Sequence, residues 1–494
     1  MNNTTLINTL SFLILALCIS SCARNPVSGK KEVMFMSESQ EIALGHSYDP
    51  QVVAMYGVYE DNKIQKFIEE KGKAMAAESH RPDLPYSFKV MDSPMVNAFA
   101  VPGGYVYFTR GILAHFNNEA EFAGVLGHEI GHIAARHSAK QQSNQILMQG
   151  VMLGGMIASE EFRQFGDVAS QGLGLLALKF GRDDETQSDI LGVEYSTAIG
   201  YDAVEMADFF QTLNRLSAGS DIPEFLSTHP NPANRFAKVK QLAKQKQAIY
   251  AGKKFAVNRN EYLQMIDGLV YGEDPRQGFF ENNTFYHPVL KFMFPVPQGW
   301  RLNNLPSQVQ MAPEDGKAMM TLELAAGTDL NAAANKFVQD NELTLIEKSN
   351  TTVNGMSALA LMTEQRPTVD PNQPQQQQAP TLRILTYLIS YNNAIYKFNG
   401  LSTQADFNRY FGNFQSTMKN FNRLTDTEKL NRKPSVIDVV TVKNRSTLQQ
   451  ALTGFGVKSA DLERLAILNG MQLNDQLPAG TLIKIVGTMG SGQQ

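Results

Sequence analysis

Apolar positions recur along this chain with two different periods, and the change from one to the other marks its organisation. Up to about residue 255 the spacing in the middle of the unit is helical. EFAGVLGHEIGHIAARH (121–137) is apolar almost all round and predicts a buried helix. FAKVKQLAKQKQAIYAG predicts a further helix that ends near Gly252. From YHPVLKFMFPVPQGW onward the runs become strand-like: MMTLELA, SALALMTEQ and LRILTYLIS, followed by a helical ADFNRYFGNFQSTMKNF. A last set, IDVVTVKNRSTLQQAL, DLERLAILNGM and LPAGTLIKIV, predicts strand, helix, helix, strand.

The expected fold is therefore α+β and multidomain. The expected boundaries are 1–22 for a signal peptide, 23–255 for a mainly helical domain with a small β-hairpin, 256–284 for connecting structure, 285–425 for an α/β domain and 434–488 for a small βααβ domain. Within the α/β domain, the Pro/Gln-rich segment at 366–380 predicts a disordered loop. At 494 residues the chain is too long for one core, which agrees with two to four domains.

Composition narrows the class. Hydrophobic content of 43% with 19% charged residues describes folded, globular material, and a net charge of −4 leaves no electrostatic footprint for nucleic acid. The two cysteines, Cys18 and Cys22, both lie in the first 22 residues, so no disulfide holds the later domains. The apolar run Phe12–Ile19 is too short to span a bilayer and sits where a signal peptide's apolar region would. Ile19-Ser20-Ser21-Cys22 resembles the bacterial lipobox, which implies export and a lipid anchor at Cys22. In a Gram-negative cell, Ala23 would direct the anchor to the periplasmic face of the outer membrane. Lys and Arg are absent before the apolar run.

The candidate chemistry lies in the predicted buried helix. His128-Glu129-Ile130-Gly131-His132 is an H-E-x-x-H sequence. On a helix, His128 and His132 share one face about a turn apart and can hold one zinc ion, while Glu129 sits about a third of a turn away as a general base. Gly131 costs helix propensity and is expected to clear space for substrate. Buried histidines need partners, and zinc supplies them. A third ligand must come from elsewhere. His137, five residues beyond His132, is expected to rotate off the ligand face. Downstream, FGRDDETQSDILGVEY offers Glu185 and Asp189 one turn apart, and on spacing alone Asp183 and Asp184 compete with them.

The chain resembles the zinc metallopeptidase family that includes HtpX, the Oma-type proteases and the CaaX prenyl proteases, peptidase family M forty-eight. The likeness covers roughly residues 25–245 and rests on NAFAVPGGYVYFTRGIL (97–113), NNEAEFAGVLGHEIGH (117–132), Glu185 to Asp189, and STHPNPANR (227–235). Ser188 stands where the family usually has alanine. The resemblance implies a zincin-type fold and one Zn2+ per chain, bound by His128, His132 and Glu185. It implies Glu129 as general base and Asp189 as the carboxylate that orients a ligand histidine. A hairpin through Asn97, Ala98 and Phe99 would offer its edge to an extended peptide, or would be a core hairpin without substrate contact. His229 is expected to stabilise an oxyanion, to bind the metal and hold the enzyme inactive, or to pack its loop. Arg235 is expected to pair with an active-site carboxylate or to lie on the surface.

Three further expectations follow. The segment QQSNQILMQGVMLGGMIASEEF (141–162) predicts a flap over the cleft rather than a membrane span, because its apolar run falls short of 18 residues. The unit around FPVPQGW faintly resembles the α/β sandwich of photosystem-accessory and Mog-type proteins. Residues 434–488 resemble a LysM module in Val440–Lys443, Thr447-Leu448, Leu468-Asn469, Leu477–Gly480 and Ile483–Ile485, with Arg445-Ser446 replacing the usual Gly-Asp. That likeness implies contact with peptidoglycan or with an envelope protein. The function so implied is hydrolysis of misfolded or misassembled envelope polypeptides. Its rival is an envelope binding or assembly-chaperone lipoprotein whose zinc site is structural or latent.

Overall fold

The computed structural model describes residues 22–143, 180–218, 223–229, 235–250, 252–366 and 380–489. The signal peptide, the expected flap and the Pro/Gln-rich loop lie outside the described residues, as does most of the segment after His229. Two compact units emerge. One joins residues 1–53, 57–272 and 435–494; the other holds 54–56 and 273–434.

The first unit opens with a short antiparallel pair, β1 (Cys22–Arg24) and β2 (Lys31–Val33). Helices α1 (Glu38–Tyr56) and α2 (Asn62–Ala77) follow, capped by Ser37 and Asp61. A three-stranded sheet contains β3 (Ser87–Met91), β4 (Ala98–Val101) and β5 (Tyr105–Thr109) in the order β3-β5-β4, so β4 is an edge. The turn from β4 to β5 needs Gly103 and Gly104, both at positive φ. Thr109 caps α3 (Arg110–His115), and Asn118 caps α4 (Glu119–Ala134), the helix that carries His128, Glu129 and His132. Every residue of α4 is buried, as its all-round apolar pattern predicts. Next come α5 (Arg182–Ala198), α6 (Glu205–Ser217), α7 (Glu224–Thr228), α8 (Arg235–Ala248) and α9 (Arg259–Ile266). Helix α9 falls in the segment expected to be connecting structure. It is core instead: Tyr262, Leu263 and Ile266 are fully buried and the Tyr262 hydroxyl donates to the Leu113 carbonyl.

The C-terminal strand-helix-helix-strand order is present. After the second unit, β17 (Ser435–Thr441) pairs antiparallel with β20 (Leu482–Thr488), with α12 (Leu448–Gly454) and α13 (Leu462–Leu468) between them. The short strands β18 (Ser446–Thr447) and β19 (Gln476–Leu477) also pair. This segment shares one hydrophobic core with the helical part: Ile437, Leu448, Leu465, Leu468 and Ile483 join Phe116, Phe122 and Phe209. Fully buried Lys484 is the polar link. Its Nζ donates to the carbonyls of Ala114 and Phe116, each at 2.8 Å, just ahead of α4.

The second unit is built on a seven-stranded antiparallel sheet. Its order is β12 (Thr344–Val353), β13 (Met356–Gln365), β14 (Leu382–Tyr391), β15 (Ala394–Thr403), β11 (Ala318–Ala325), β10 (Gln308–Pro313), β9 (Trp300–Asn304). Helix α10 (Leu330–Asp340) buries Ala333 and Ala334 against Leu359, Leu388 and Ile395. Helix α11 (Phe407–Lys419) buries Phe407 and Phe414 against Ala358, Tyr387 and Tyr396. Neighbouring strand residues go to different helices, so α10 and α11 cover opposite faces. A small four-stranded sheet contains β6 (Phe279–Glu281), β7 (Thr284–His287), β8 (Phe292–Pro295) and β16 (Asn422–Arg423). Among the described residues, no helix is long and apolar enough to cross a membrane.

Candidate metal centre

The site forms where α4 and α5 approach each other unusually closely. A Cβ on Gly127 would stand 2.9 Å from the Gly192 carbonyl oxygen, and one on Gly131 would stand 3.0 Å from the Leu191 Cβ. Gly131 therefore serves helix contact, not substrate clearance as its place in the motif led us to expect. Ser188, where the family usually has alanine, sits against that same glycine.

This approach brings together His128, His132 and Glu185, and α7 adds His229. The potential ligand atoms of these four buried residues all lie within 4.8 Å of one another. His128 Nε2 and His132 Nε2 are 3.0 Å apart. Glu185 Oε1 lies 3.4 Å from His132 Nε2, and its Oε2 lies 3.7 Å from His128 Nε2. His229 Nδ1 stands 3.3 Å from His128 Nε2 and 2.9 Å from Glu185 Oε1, so its ring is inside the cluster and does not merely pack the loop. Phe225 stacks on it at 4.5 Å. Asp183 and Asp184 share the first turn of α5 with Glu185, but neither belongs to the cluster.

A ring of partners holds the cluster. Asp189 Oδ1 is 3.1 Å from His128 Nδ1. Arg235, only 2% exposed, grips Asp189 with two hydrogen bonds, Nε to Oδ2 at 2.8 Å and Nη2 to Oδ1 at 2.7 Å. Its Nη1 lies 2.9 Å from Glu185 Oε2, close enough for an ion contact but without hydrogen-bond alignment. The guanidinium also stacks over Phe210 at 4.2 Å. His137, set aside on helical spacing, touches His132: the two Nδ1 atoms are 3.0 Å apart. The reason is local. Helix α4 ends at Ala134 and Arg136 takes a left-handed φ of 60°, so the extrapolated wheel no longer applies and the chain swings His137 back beneath His132. The signal available in the sequence was a third histidine just past a helix end.

The electrostatics follow from burial. Burial lowers His128, His132 and His137 below the ordinary histidine value, which keeps them neutral. Burial opposes ionisation of Glu185, yet His229 and the bonds from His132 and His229 hold it well below the usual carboxylate range. His229 is raised: burial would lower it, but Glu185 and Glu129 outweigh that. Burial pushes Glu129 up to about 8. Neither Glu129 oxygen has a hydrogen-bond partner. His229 Nε2 is 3.7 Å away, and the Ala100 amide of β4 faces the carboxylate without meeting hydrogen-bond geometry.

These residues fit a zinc ion. Two neutral imidazoles and a carboxylate are the nitrogen and oxygen donors zinc prefers. Glu185 and Asp189 are held ionised around the single guanidinium of Arg235, an acidic donor set that suits a dication.

Strand β4 runs beside this site. Thr109 N donates to the Asn97 carbonyl, so Asn97, Phe99 and Val101 turn their backbone groups towards β5. The alternation leaves Ala98 and Ala100 with outward-facing backbone groups. The side chains of Asn97, Ala98 and Phe99 are buried.

Residues 62–243 match the family model Peptidase family M48. A mitochondrial metalloendopeptidase OMA1 from Arabidopsis thaliana is 33% identical over 178 residues, 36% of this chain and 36% of that protein. A beta-barrel assembly-enhancing protease from Yersinia pestis is 29% identical over 223 residues, 42% of this chain and 45% of its own length. The chain thus spans less than half the length of either relative. A cyanobacterial PsbP from Synechocystis aligns over 28% of this chain and 91% of its own, with 11% identity and a TM-score of 0.23, which establishes no shared fold. The likeness to Peptidase family M48 thus lies across residues 62–243, the part of the chain that holds the cluster.

Proposed function

We propose that the protein is a zinc-dependent metalloendopeptidase of the cell envelope that hydrolyses peptide bonds in misfolded or misassembled proteins. The observation that carries this reading is a buried cluster of His128, His132 and Glu185 beside the unpartnered carboxylate of Glu129. His128, His132 and Glu185 hold the metal, and Asp189, fixed by Arg235, orients His128. Bound zinc supplies the Lewis acid that makes water nucleophilic at neutral pH and polarises a peptide carbonyl. With a dication at the site offsetting the burial that raises it, Glu129 would take the proton from the attacking water and return it to the leaving amine. The β4 edge at Ala100, partly exposed where Asn97, Ala98 and Phe99 are buried, pairs with the substrate as an added strand, a mode with little side-chain selectivity that suits unfolded polypeptides.

Export with a lipid anchor at Cys22 is the accompanying proposal, supported by the lipobox-like sequence and by likeness to a relative named a beta-barrel assembly-enhancing protease. A LysM-like role for 434–488, in contact with peptidoglycan or an envelope protein, rests on its strand-helix-helix-strand order. The test of the central reading is cleavage of casein or an unfolded outer-membrane protein by the zinc-loaded protein and by Glu129→Gln. Turnover should fall by roughly 10²–10⁴-fold in the variant with zinc content retained. Equal cleavage, or none by either protein, would reject it.

His229 favours a second reading of the same site. Its Nδ1 stands among the ligand atoms, so the site is held shut and the resting protein acts as a binding or assembly-chaperone lipoprotein. Under that reading His229→Ala raises turnover. If His229 instead steadies the oxyanion, the same substitution lowers turnover by roughly 10²–10³-fold.

A further inference from the structure

Both motif histidines point Nε2 into the cluster, yet their other nitrogens are held differently. His128 has a carboxylate, Asp189, at Nδ1. His132 has no carboxylate there; its Nδ1 meets the Nδ1 of His137 at 3.0 Å. His137 in turn has Gln187 Oε1 at 3.0 Å from its Nε2, with Asp184 Oδ1 at 3.7 Å on the same side. The Ser188 hydroxyl stands 3.3 Å from His137 Nδ1.

We propose that His137 and Gln187 are positioning residues for the metal, forming a neutral relay that fixes the tautomer and ring plane of His132. The inference rests on the metallopeptidase reading. The polarity of the relay is forced by its ends. A carboxylate lies near His137 Nε2 together with an amide oxygen, and both accept, so that nitrogen carries the proton. His137 Nδ1 is then a lone-pair acceptor. It takes the N–H of His132 Nδ1, the nearer of its two neighbours, with the Ser188 hydroxyl alongside at 3.3 Å. With its proton held at Nδ1, His132 presents a free lone pair at Nε2, the atom that faces His128 and Glu185. Loss of such a support releases the ring to rotate and lets its proton move to Nε2, where it blocks coordination. His137 is not itself a ligand in this arrangement, because its Nδ1 faces the back of the His132 ring, and it is absent from the four-residue cluster.

The experiment uses the full chain, stripped of metal and titrated with zinc against a chromogenic chelator. His137→Phe keeps a ring in the same buried space and removes both nitrogens. Gln187→Leu leaves His137 in place and removes its amide partner. We expect His137→Phe to weaken zinc binding by 10- to 100-fold while the metal-free Tm stays near that of the unaltered protein. Gln187→Leu should weaken it in the same direction, Gln187→Glu should restore it, and the His137→Phe/Gln187→Leu pair should be no weaker than His137→Phe alone. Zinc binding within twofold of the unaltered protein in His137→Phe overturns the proposal. If that variant fails to fold, the same result in Gln187→Leu overturns it. Failure of the unaltered protein to take up one zinc per chain would instead reject the metallopeptidase reading, and the relay with it.

Discussion

Arg235 is the residue on which the buried charge of the site depends. Its guanidinium is the cation between Asp189 and Glu185; without it Asp189 loses its buried counter-charge and Glu185 is left to His229. Breaking a buried pair by removing one partner costs about 3–5 kcal/mol, so Arg235→Leu should lower urea stability by that order and reduce zinc content. A different residue contributes to acid sensitivity, together with His287, which burial also lowers to about 4. Burial lowers His115 to about 4, and its ring bonds to the Gly111 carbonyl. The unfolded chain takes up that proton near the ordinary value of 6.5, so between 6.5 and about 4 the unfolded state binds more protons. Stability therefore falls as pH drops through that window, by about 3 kcal/mol in full. His115→Asn, which does not titrate, should reduce the slope of the unfolding free energy measured between pH 7 and pH 5, leaving the part that His287 contributes.

At the scale of elements, the site is a pair of helices held close by missing side chains. Gly127→Ala gains about 1 kcal/mol of helix propensity but drives a methyl group into the Gly192 backbone, which cannot yield as a side chain would. The expected outcome is a net loss of about 1–3 kcal/mol in thermal unfolding and weaker zinc binding, because α5 carries Glu185 away from the histidines. The same pair shows what the sequence made legible. His128, Glu129 and His132 were readable because four-residue spacing and an all-round apolar pattern both describe one buried helix. Glu185 was not separable from Asp183 and Asp184 by spacing; the helix contact selects it. Gly131 was misjudged because its partner, the Ser188–Leu191 turn of α5, lies more than fifty residues away. His137 was rightly kept out of the ligand set, but its contact with His132 was not legible, because a single left-handed residue, Arg136, redirects the chain.

Across the first unit, the C-terminal segment behaves as part of the catalytic half. Boundaries drawn from composition separate residues 434–488, yet their apolar side chains complete the core around Phe116 and Phe209. Lys484 joins the same junction. Burial depresses its pKa and raises that of Glu121, to about 8, while its Nζ satisfies two carbonyls at the entrance to α4. Lys484→Met leaves those carbonyls without a donor and should cost about 1–3 kcal/mol, measured by chemical denaturation. Deletion of 435–494 should do more, exposing the core and making the α4 region susceptible to limited proteolysis.

The chain leaves the first unit at Gly272 and re-enters it at Ser435, and these two points are already tied together. Tyr271 N donates to the Ser435 carbonyl, Ile437 N to the Leu269 carbonyl and Gly268 N to the Ile437 carbonyl. An excursion that starts and finishes at one doorway can be cut out and the doorway closed with a few small polar residues. The catalytic half thus has a built-in exchange port: the 273–434 domain can be lost, replaced or grafted without redrawing the zinc site.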